Sequence, residues 1–420
     1  MSEGAAAAGE AGPQASVIIV SRSRAAELRR NLPAYRFQTH RAFELILVAD
    51  PAGLAVAREL NLSQRMKLVE FDEANISAAR NLGLAQAAAP LVAFIDDDAT
   101  PEPPWLSRLL APFSDPSVIA STGFVRGRNG ISMQWQGVAT DETGADIALD
   151  VNELETTLWP SARCVKTHGT NCAFRRSALT AIGGFDPAFR FFLDETDVTH
   201  RLAPSGGQTA IVPRAQVHHG FAANASRRAN RAPTDLHQIG RSAALFLRRH
   251  CPAPRHAEAL DALRQGQAER VARYRKQGRL SAEEEAPLMP SLEAGIAEGM
   301  AAPLTDPAPL AAAESPFKPL PQGPGPTSHE LRSCGLIGFR RALARARADA
   351  ASGQKIVTLL RLSRTPRKHA SWFDPAGVWV QRGGLFGRSL RSDPPFRLWR
   401  RAARIARERA RIATFRSPES

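Results

Sequence analysis

The sequence predicts an α/β fold, a mixed sheet flanked by helices, and three observations lead there. Short apolar runs recur at residues 16–20 (SVIIV), 44–48 (ELILV) and 91–95 (LVAFI), each with the length and composition of a strand buried on both faces. Segments of helical character, such as 25–32, alternate with these runs, as they do in βαβ units. Finally, Asp96, Asp97 and Asp98 follow the third run directly, at the carboxyl end of a strand, where open α/β sheets place their ligands.

Taken in order, residues 1–14 are mostly Ala, Gly and Glu without periodicity and read as a disordered tail. The second strand ends at Ala49 and Asp50; an aspartate there either lines a ligand pocket or caps the following helix. Behind the third strand, alternation sends Asp96 and Asp98 to one side and Asp97 to the other. Two convergent carboxylates are hard ligands for Mg²⁺ or Mn²⁺, although three acids in a row also suit a solvated loop. A helix over 106–113 and a returning strand over 118–125 follow. Residues 126–165, with Gly127, Gly130, Gly137 and Gly144 among polar spacers, read as loops and hairpins over an active-site mouth. Trp135 and Trp159 in this stretch either stack on a bound ligand or fill the core.

The residues around the acid triplet decide between ligand site and solvated loop. Asn75, Ser77, Ala79, Arg80, Asn81 and Gly83, then Phe94, Asp96 and Asp98, then Pro103 or Pro104, Trp105 and Leu106 form a pattern that resembles the family-2 glycosyltransferases, inverting enzymes with the GT-A fold. A second block, GTNCAFRRSAL from 169, GGFDPAF from 183, DETDVTHRL from 194 and AQVHHG from 215, is similar in sequence and order to the acceptor half of the same family. The resemblance implies a GT-A-type, Rossmann-like mixed sheet over 15–225 and a nucleotide-diphosphate sugar as donor. It implies donor contacts from Ser21, Asp50, Arg80, Asp96 and Asp97, and a metal, Mg²⁺ or Mn²⁺, on Asp98 with Asp96 and His219. Acceptor contacts fall to Gly184, Phe185, Asp186, Asp194 and Asp197. Glu195 takes the place of the family's catalytic Asp; the carboxylate is kept, with one more methylene, and can accept the proton of an attacking hydroxyl as general base. The chain departs from the family pattern where Val20 replaces a proline, Ser23 an asparagine and Ala49 the first of two acids. The Ala49 and Glu195 departures also suit a catalytically silent sugar-nucleotide or glycan-binding module. Asp186 before Pro187 is expected to cap a short helix, and a strand over 211–217 to present His219, rather than His218, to the metal.

Composition sets outer limits. With 420 residues, 43% hydrophobic and 23% charged, the chain is that of a globular protein. No window holds about 18 consecutive apolar residues, and the start MSEGAAAAGEAGPQ lacks the pattern of a signal peptide. A cytoplasmic location is therefore expected. Cys164, Cys172, Cys251 and Cys334 show no metal or disulfide spacing and read as free thiols.

Net charge is about −4 over 1–220 and about +18 over 221–420. Residues 226–281 read as a helical extension, with helices over 235–250 and 255–280. Gln238, Arg241 and Ser242 resemble the QxxRW element of processive synthases, but Ser stands in place of Trp and no membrane helices accompany it, so the reading is non-processive. Residues 282–330 read as a Pro/Ala-rich linker with one helix at 291–300. The basic region 331–420 is expected to stand apart as a small α+β unit: strands over 355–362, 378–381 and 385–386, a hairpin turn at Gly383 and Gly384, and a helix over 396–415. That helix carries Arg397, Arg400, Arg401, Arg404, Arg407, Arg409 and Arg411. It reads as a solvated face, or as a surface for peripheral contact with the anionic inner face of a membrane carrying a lipid-linked acceptor. Nucleic acid is not expected as a partner, since no recognised motif is present. The expected role is bacterial-type cell-surface glycan or glycoconjugate assembly.

Overall fold

The computed structural model describes residues 12–311, 313, 315–320 and 323–418; most of the N-terminal tail lies outside them. In chain order the first part runs β1 (Ala15–Ser21), α1 (Ala25–Asn31), β2 (Phe43–Ala49), α2 (Pro51–Glu59), β3 (Lys67–Glu70), α3 (Ile76–Gln86) and β4 (Leu91–Phe94). There follow β5 (Ala99–Pro101), α4 (Trp105–Leu110), β6 (Val118–Arg126), β7 (Met133–Trp135), β8 (Val138–Thr140), β9 (Asp146–Ala148) and β10 (Thr157–Pro160). The second block of the sequence forms β11 (Cys172–Arg175), α5 (Arg176–Ala181), α6 (Asp194–Leu202) and β12 (Gln208–His219).

One sheet dominates, in the order β10-β12-β6-β11-β4-β1-β2-β3. β4, β1, β2 and β3 are parallel, β11 runs antiparallel between β4 and β6, and β12 is parallel to β6. The sheet is therefore mixed, and the carboxyl ends of β1, β2, β4 and β12 lie along one edge. Val17, Ile19, Leu45, Leu47, Leu91 and Ala93 face one layer of core, while Ile18, Ile46, Val48, Val92 and Phe94 face the other. Both faces are apolar because helices cover both, as the unbroken runs foretold. Loop polar groups fix the helix starts: Asp50 Oδ1 accepts from the Gly53 amide to cap α2, and Asn75 Oδ1 from Ala78 to cap α3. In β12 an irregularity between Val212 and Gln216 contains Pro213. Asn171 fills it, donating to Phe124 O and Ala215 O, and a Cβ on Gly123 would lie 2.0 Å from Ala215 O.

After β12 come α7 (His237–His250), α8 (His256–Lys276), α9 (Ala282–Glu285) and α10 (Leu288–Ala301). Helix α10, inside the segment read as linker, is integral to this group. Leu288, Leu292 and Ile296 are buried against Leu236, Ala244 and Leu247. Glycines allow the close crossing: a Cβ on Gly295 would lie 2.0 Å from His237 O, and one on Gly299 2.4 Å from Arg241 O.

The C-terminal part comprises β13 (Ser328–Cys334), α11 (Phe339–Ala350), β14 (Lys355–Ser363), β15 (Ala370–Asp374), β16 (Val378–Gly384) and α12 (Arg401–Arg416), with strand order β13-β14-β16-β15. Gly383 and Gly384 end β16 rather than forming a turn, and the hairpin is β15 with β16, closed around Gly377. This part does not stand apart. Ala34 and Phe37 of the first domain share a core with Ile356, Val357, Phe373 and Trp379. Nor is α12 a solvated face: Arg404, Glu408 and Arg416 are buried, and Arg416 donates to both oxygens of buried Glu102, at 2.7 and 2.6 Å. A basic helix looks solvated in sequence when the acids that pair with it lie elsewhere, here as far away as Glu102.

Candidate metal centre and acid cluster

Pairing between β5 and β12 assembles the centre. His219 sits opposite Ala99, which brings its ring beside Asp98. Asp96, Asp98 and His219 each offer a ligand atom, all within 4.8 Å of one another. His219 Nε2 lies 3.2 Å from Asp98 Oδ1 and 3.9 Å from Asp96 Oδ2. His219 Nδ1 is 3.3 Å from Gln134 Oε1 on β7; a proton on Nδ1 leaves the Nε2 lone pair facing the acids. His218 points the other way, to Glu102 at 2.6 Å. The donor set suits a hard or borderline divalent cation. Asp98 Oδ1 is buried without a hydrogen-bond partner among the described residues, as expected of an oxygen whose partner is an ion. Burial pushes Asp98 up, but His219, the Ala222 amide and Arg24 outweigh it and hold the carboxyl well below the usual range.

Asp97 faces away, as alternation requires, into a network that ties the triplet to the first strand and helix. Ser21 Oγ and Arg24 donate to its carboxylate at 2.7 and 2.9 Å, and Asn31 to its backbone oxygen at 2.9 Å. Burial pushes it up to about 7 against the pull of Arg24. Ser21 and Asp97 thus hold one another, and Asp50 is engaged by the Ser23 and Gly53 amides. Each of these three expected donor contacts already has an internal partner.

Arg80, 3% exposed, joins two acid groups. It donates to Asp194 and lies 3.7 Å from Asp96, so α3 fixes the start of α6 relative to the acid triplet. Before α6, Phe192 and Leu193 both adopt left-handed backbone, with φ of +73° and +62°. Two such residues in succession are strained and turn Asp194 and Glu195 toward Arg80. Burial and the charge of Glu195 push Asp194 up. For Glu195 burial acts the same way, but Arg80 and a hydrogen bond with Asp194 hold it below its ordinary value. The two titrate as a pair. Glu195 is only partly buried and its charge is felt at Asp96.

The remaining expected acceptor residues are engaged in the scaffold. Asp197 is fully buried between Arg201, Arg249 and His250, Asp186 pairs with Arg249 at 2.6 Å, and the Phe185 ring packs edge-on against Phe94. Gly184, at φ +67°, lies so close to Asn81 that a Cβ would sit 2.4 Å from its Oδ1. Asp186 organises a turn, accepting from Ala188, rather than a helix. Trp135 is half-buried, stacked on His168 at 5.1 Å and inclined to His219 at 5.4 Å. Sequence reasoning missed Arg24, Gln134, His168, Arg227 and Arg231 around the centre. The basic runs SRSR at 21 and SRRANR at 226 were the visible signals for the arginines.

A mixed, helix-covered sheet with an acid and histidine cluster at its carboxyl edge is the GT-A type of α/β domain. Residues 16–183 match the model described as glycosyl transferase family 2, and the domain built on them is a family-2 glycosyltransferase domain. Among curated relatives, the chain is 26% identical over 211 residues to the "Pre-mycofactocin glycosyltransferase" of Mycobacterium tuberculosis, covering 49% of this chain and 42% of that protein. It is also 26% identical over 206 residues to the "Succinoglycan biosynthesis protein ExoM" of Rhizobium meliloti, covering 46% and 62%. The matches thus span less than two thirds of either relative. Similar solved structures include GalNAc-T7 with UDP, GalNAc and Mn²⁺ (TM-score 0.43, 16% identity, 56% of this chain and 48% of that one). Another is the mannosyltransferase PcManGT from Pyrobaculum calidifontis with GDP-Man and Mn²⁺ (TM-score 0.42, 18% identity, 69% and 87%).

Proposed function

We propose that this protein is a non-processive, inverting glycosyltransferase that moves a sugar from a nucleotide-diphosphate donor to an acceptor hydroxyl. The observation that supports it best is the convergence of Asp96, Asp98 and His219 beside Glu195, a carboxylate for which no hydrogen-bond donor outside the acid pair is found among the described residues. In this reading Asp98, Asp96 and His219 would hold Mg²⁺ or Mn²⁺, whose charge offsets that of the diphosphate. The imidazole in the set favours Mn²⁺. Glu195, ionised at neutral pH, takes the acceptor proton. The acceptor oxygen forms its bond to the anomeric carbon as the bond to the β-phosphate oxygen breaks, with the electron pair leaving on that oxygen. Arg80 positions both acid groups. Gly184, Phe185, Asp186 and Asp197 act indirectly, by holding the loop before α6.

A role in cell-surface glycan or glycoconjugate assembly is supported by the name of the succinoglycan relative. No helix among the described residues is long and apolar enough to cross a membrane. We assign any contact with an anionic surface to exposed Phe396 and Leu398 beside Arg397, Arg400 and Arg401. Incubation with a panel of nucleotide-diphosphate sugars and Mn²⁺ tests the proposal. Metal-dependent release of a nucleoside diphosphate from one of them is expected; donor binding without release, with any acceptor offered, would instead make the chain a silent sugar-nucleotide module.

A further inference from the structure

The loop leaving β12 carries a concentration of positive charge, of which Arg227 and Arg231 form no ion pair among the described residues. Phe221, two residues beyond His219, has φ of +56°, and Arg231 has φ of +74°, so the loop is bracketed by strained residues. The Phe221 ring lies 4.8 Å from the His219 ring. Arg227 and Arg231 both lie over Phe221, with guanidinium carbons 4.4 and 4.3 Å from its centre. Among the described residues neither guanidinium forms an ion pair, and the Nε of each is buried without a hydrogen-bond partner. Their neighbour Arg228, by contrast, is exposed and paired with Glu284. One residue links the loop to the metal centre: Ala222 donates its amide to Asp98 Oδ2 at 2.6 Å, and its carbonyl accepts from Arg227 at 2.9 Å. Burial first, then repulsion from Arg24, Arg270 and Arg231, pulls Arg227 below its ordinary value, while Asp98 draws it up.

Two half-buried guanidinium groups without an anion destabilise the free protein, and they stand where an anion is expected to arrive. A divalent cation on Asp96 and Asp98 shares its charge with those carboxylates, so it offsets a bound diphosphate only in part. The two charges of a donor diphosphate, and the third that appears on the departing oxygen, therefore need further cations. Guanidinium forks match phosphate oxygens in shape as well as charge. We propose that Arg227 and Arg231, backed by Phe221, form a diphosphate cradle beside the metal centre; this rests on the glycosyltransferase reading above.

The test is calorimetric binding of UDP, GDP, UMP, GMP and inorganic pyrophosphate, with Mn²⁺ and with chelator, to the wild type, Arg227→Gln, Arg231→Gln, the control Arg228→Gln, and Asp98→Ala. Either cradle substitution should weaken the preferred diphosphate on the order of tenfold or more. It should leave the matching monophosphate within about twofold, a factor too small to include a lost charged hydrogen bond. The loss should persist in chelator, and Arg228→Gln should match the wild type. Without ligand, both cradle variants should melt no lower than the wild type, because an unpaired cation has been removed. Unchanged diphosphate affinity in both variants, with affinity lost in Asp98→Ala, would overturn the cradle and spare the enzyme. A lower melting point with unchanged affinity would likewise overturn it, by assigning the arginines to packing on Phe221. If no nucleotide or pyrophosphate binds the wild type with Mn²⁺, the glycosyltransferase reading fails first.

Discussion

Replacing Arg416 by Met should destabilise the whole protein, not merely fray its last helix. Arg416 is 1% exposed and Glu102 is 0% exposed; two hydrogen bonds of 2.7 and 2.6 Å join them. The guanidinium also lies 4.1 Å from the centre of the Trp379 ring. Removing one partner of a buried ion pair costs about 3–5 kcal/mol, because the other charge stays buried. His218 still reaches Glu102 at 2.6 Å, and Met preserves much of the apolar contact, so the lower end, about 3 kcal/mol, is expected. Burial pushes Glu102 up, but Arg416 and His218 overcome it and hold the carboxyl well below its ordinary range. Its stabilising share is therefore full above the unfolded carboxylate value, about pH 4.3, and is lost as pH falls toward the folded value. The wild type should lose stability more steeply than Arg416→Met on that acid limb. Urea unfolding followed by tryptophan fluorescence measures both effects. Arg409→Met, at an exposed site on the same helix, should stay within about 0.5 kcal/mol, and adding Glu102→Met to Arg416→Met should recover much of the loss. If Arg416→Met lies within about 0.5 kcal/mol of the wild type, the C-terminal part is not welded to the first domain through this pair.

Truncation after Thr327 should give aggregated protein, since it uncovers Phe37 and Ala34 and leaves Glu102 without Arg416; a soluble, cooperatively melting fragment on size exclusion and calorimetry would refute that. Glu195→Gln should lower turnover roughly 10²- to 10⁴-fold with donor affinity unchanged, measured by steady-state kinetics beside calorimetry. Near-normal turnover would move the base to another group.

The first domain was legible because its signals are local. The runs at 16–20, 44–48 and 91–95 became β1, β2 and β4, helix by helix the order followed, and the four cysteines are free. Alternation likewise separates Asp96 and Asp98 from Asp97. What escaped was set by distant partners or by backbone conformation. Asp186 and Asp197 resembled ligands because Arg249, about sixty and fifty residues away, gives no sign in sequence that it will meet them. Strand β13 was missed because its exposed polar positions hide the pattern, and β15 because its alternation is inverted, with Ser371 buried and Trp372 exposed. The helix expected at 291–300 is α10, but its packing on α7 was not legible, because its glycines bring the two helices together rather than loosening the chain. The left-handed pair Phe192 and Leu193, both bulky, runs against every propensity that sequence reading uses.

In the proposed mechanism Asp96, Asp98 and His219 together hold a divalent cation. Titration of Mn²⁺ into the protein, followed by the loss of its free electron paramagnetic resonance signal, tests it without assuming a donor. The wild type should bind one equivalent, more tightly when the preferred nucleoside diphosphate is present, and Asp98→Ala and His219→Ala should each weaken binding by roughly 10- to 100-fold or more while melting as cooperatively as the wild type. Equal Mn²⁺ affinity in the wild type and Asp98→Ala would contradict the account.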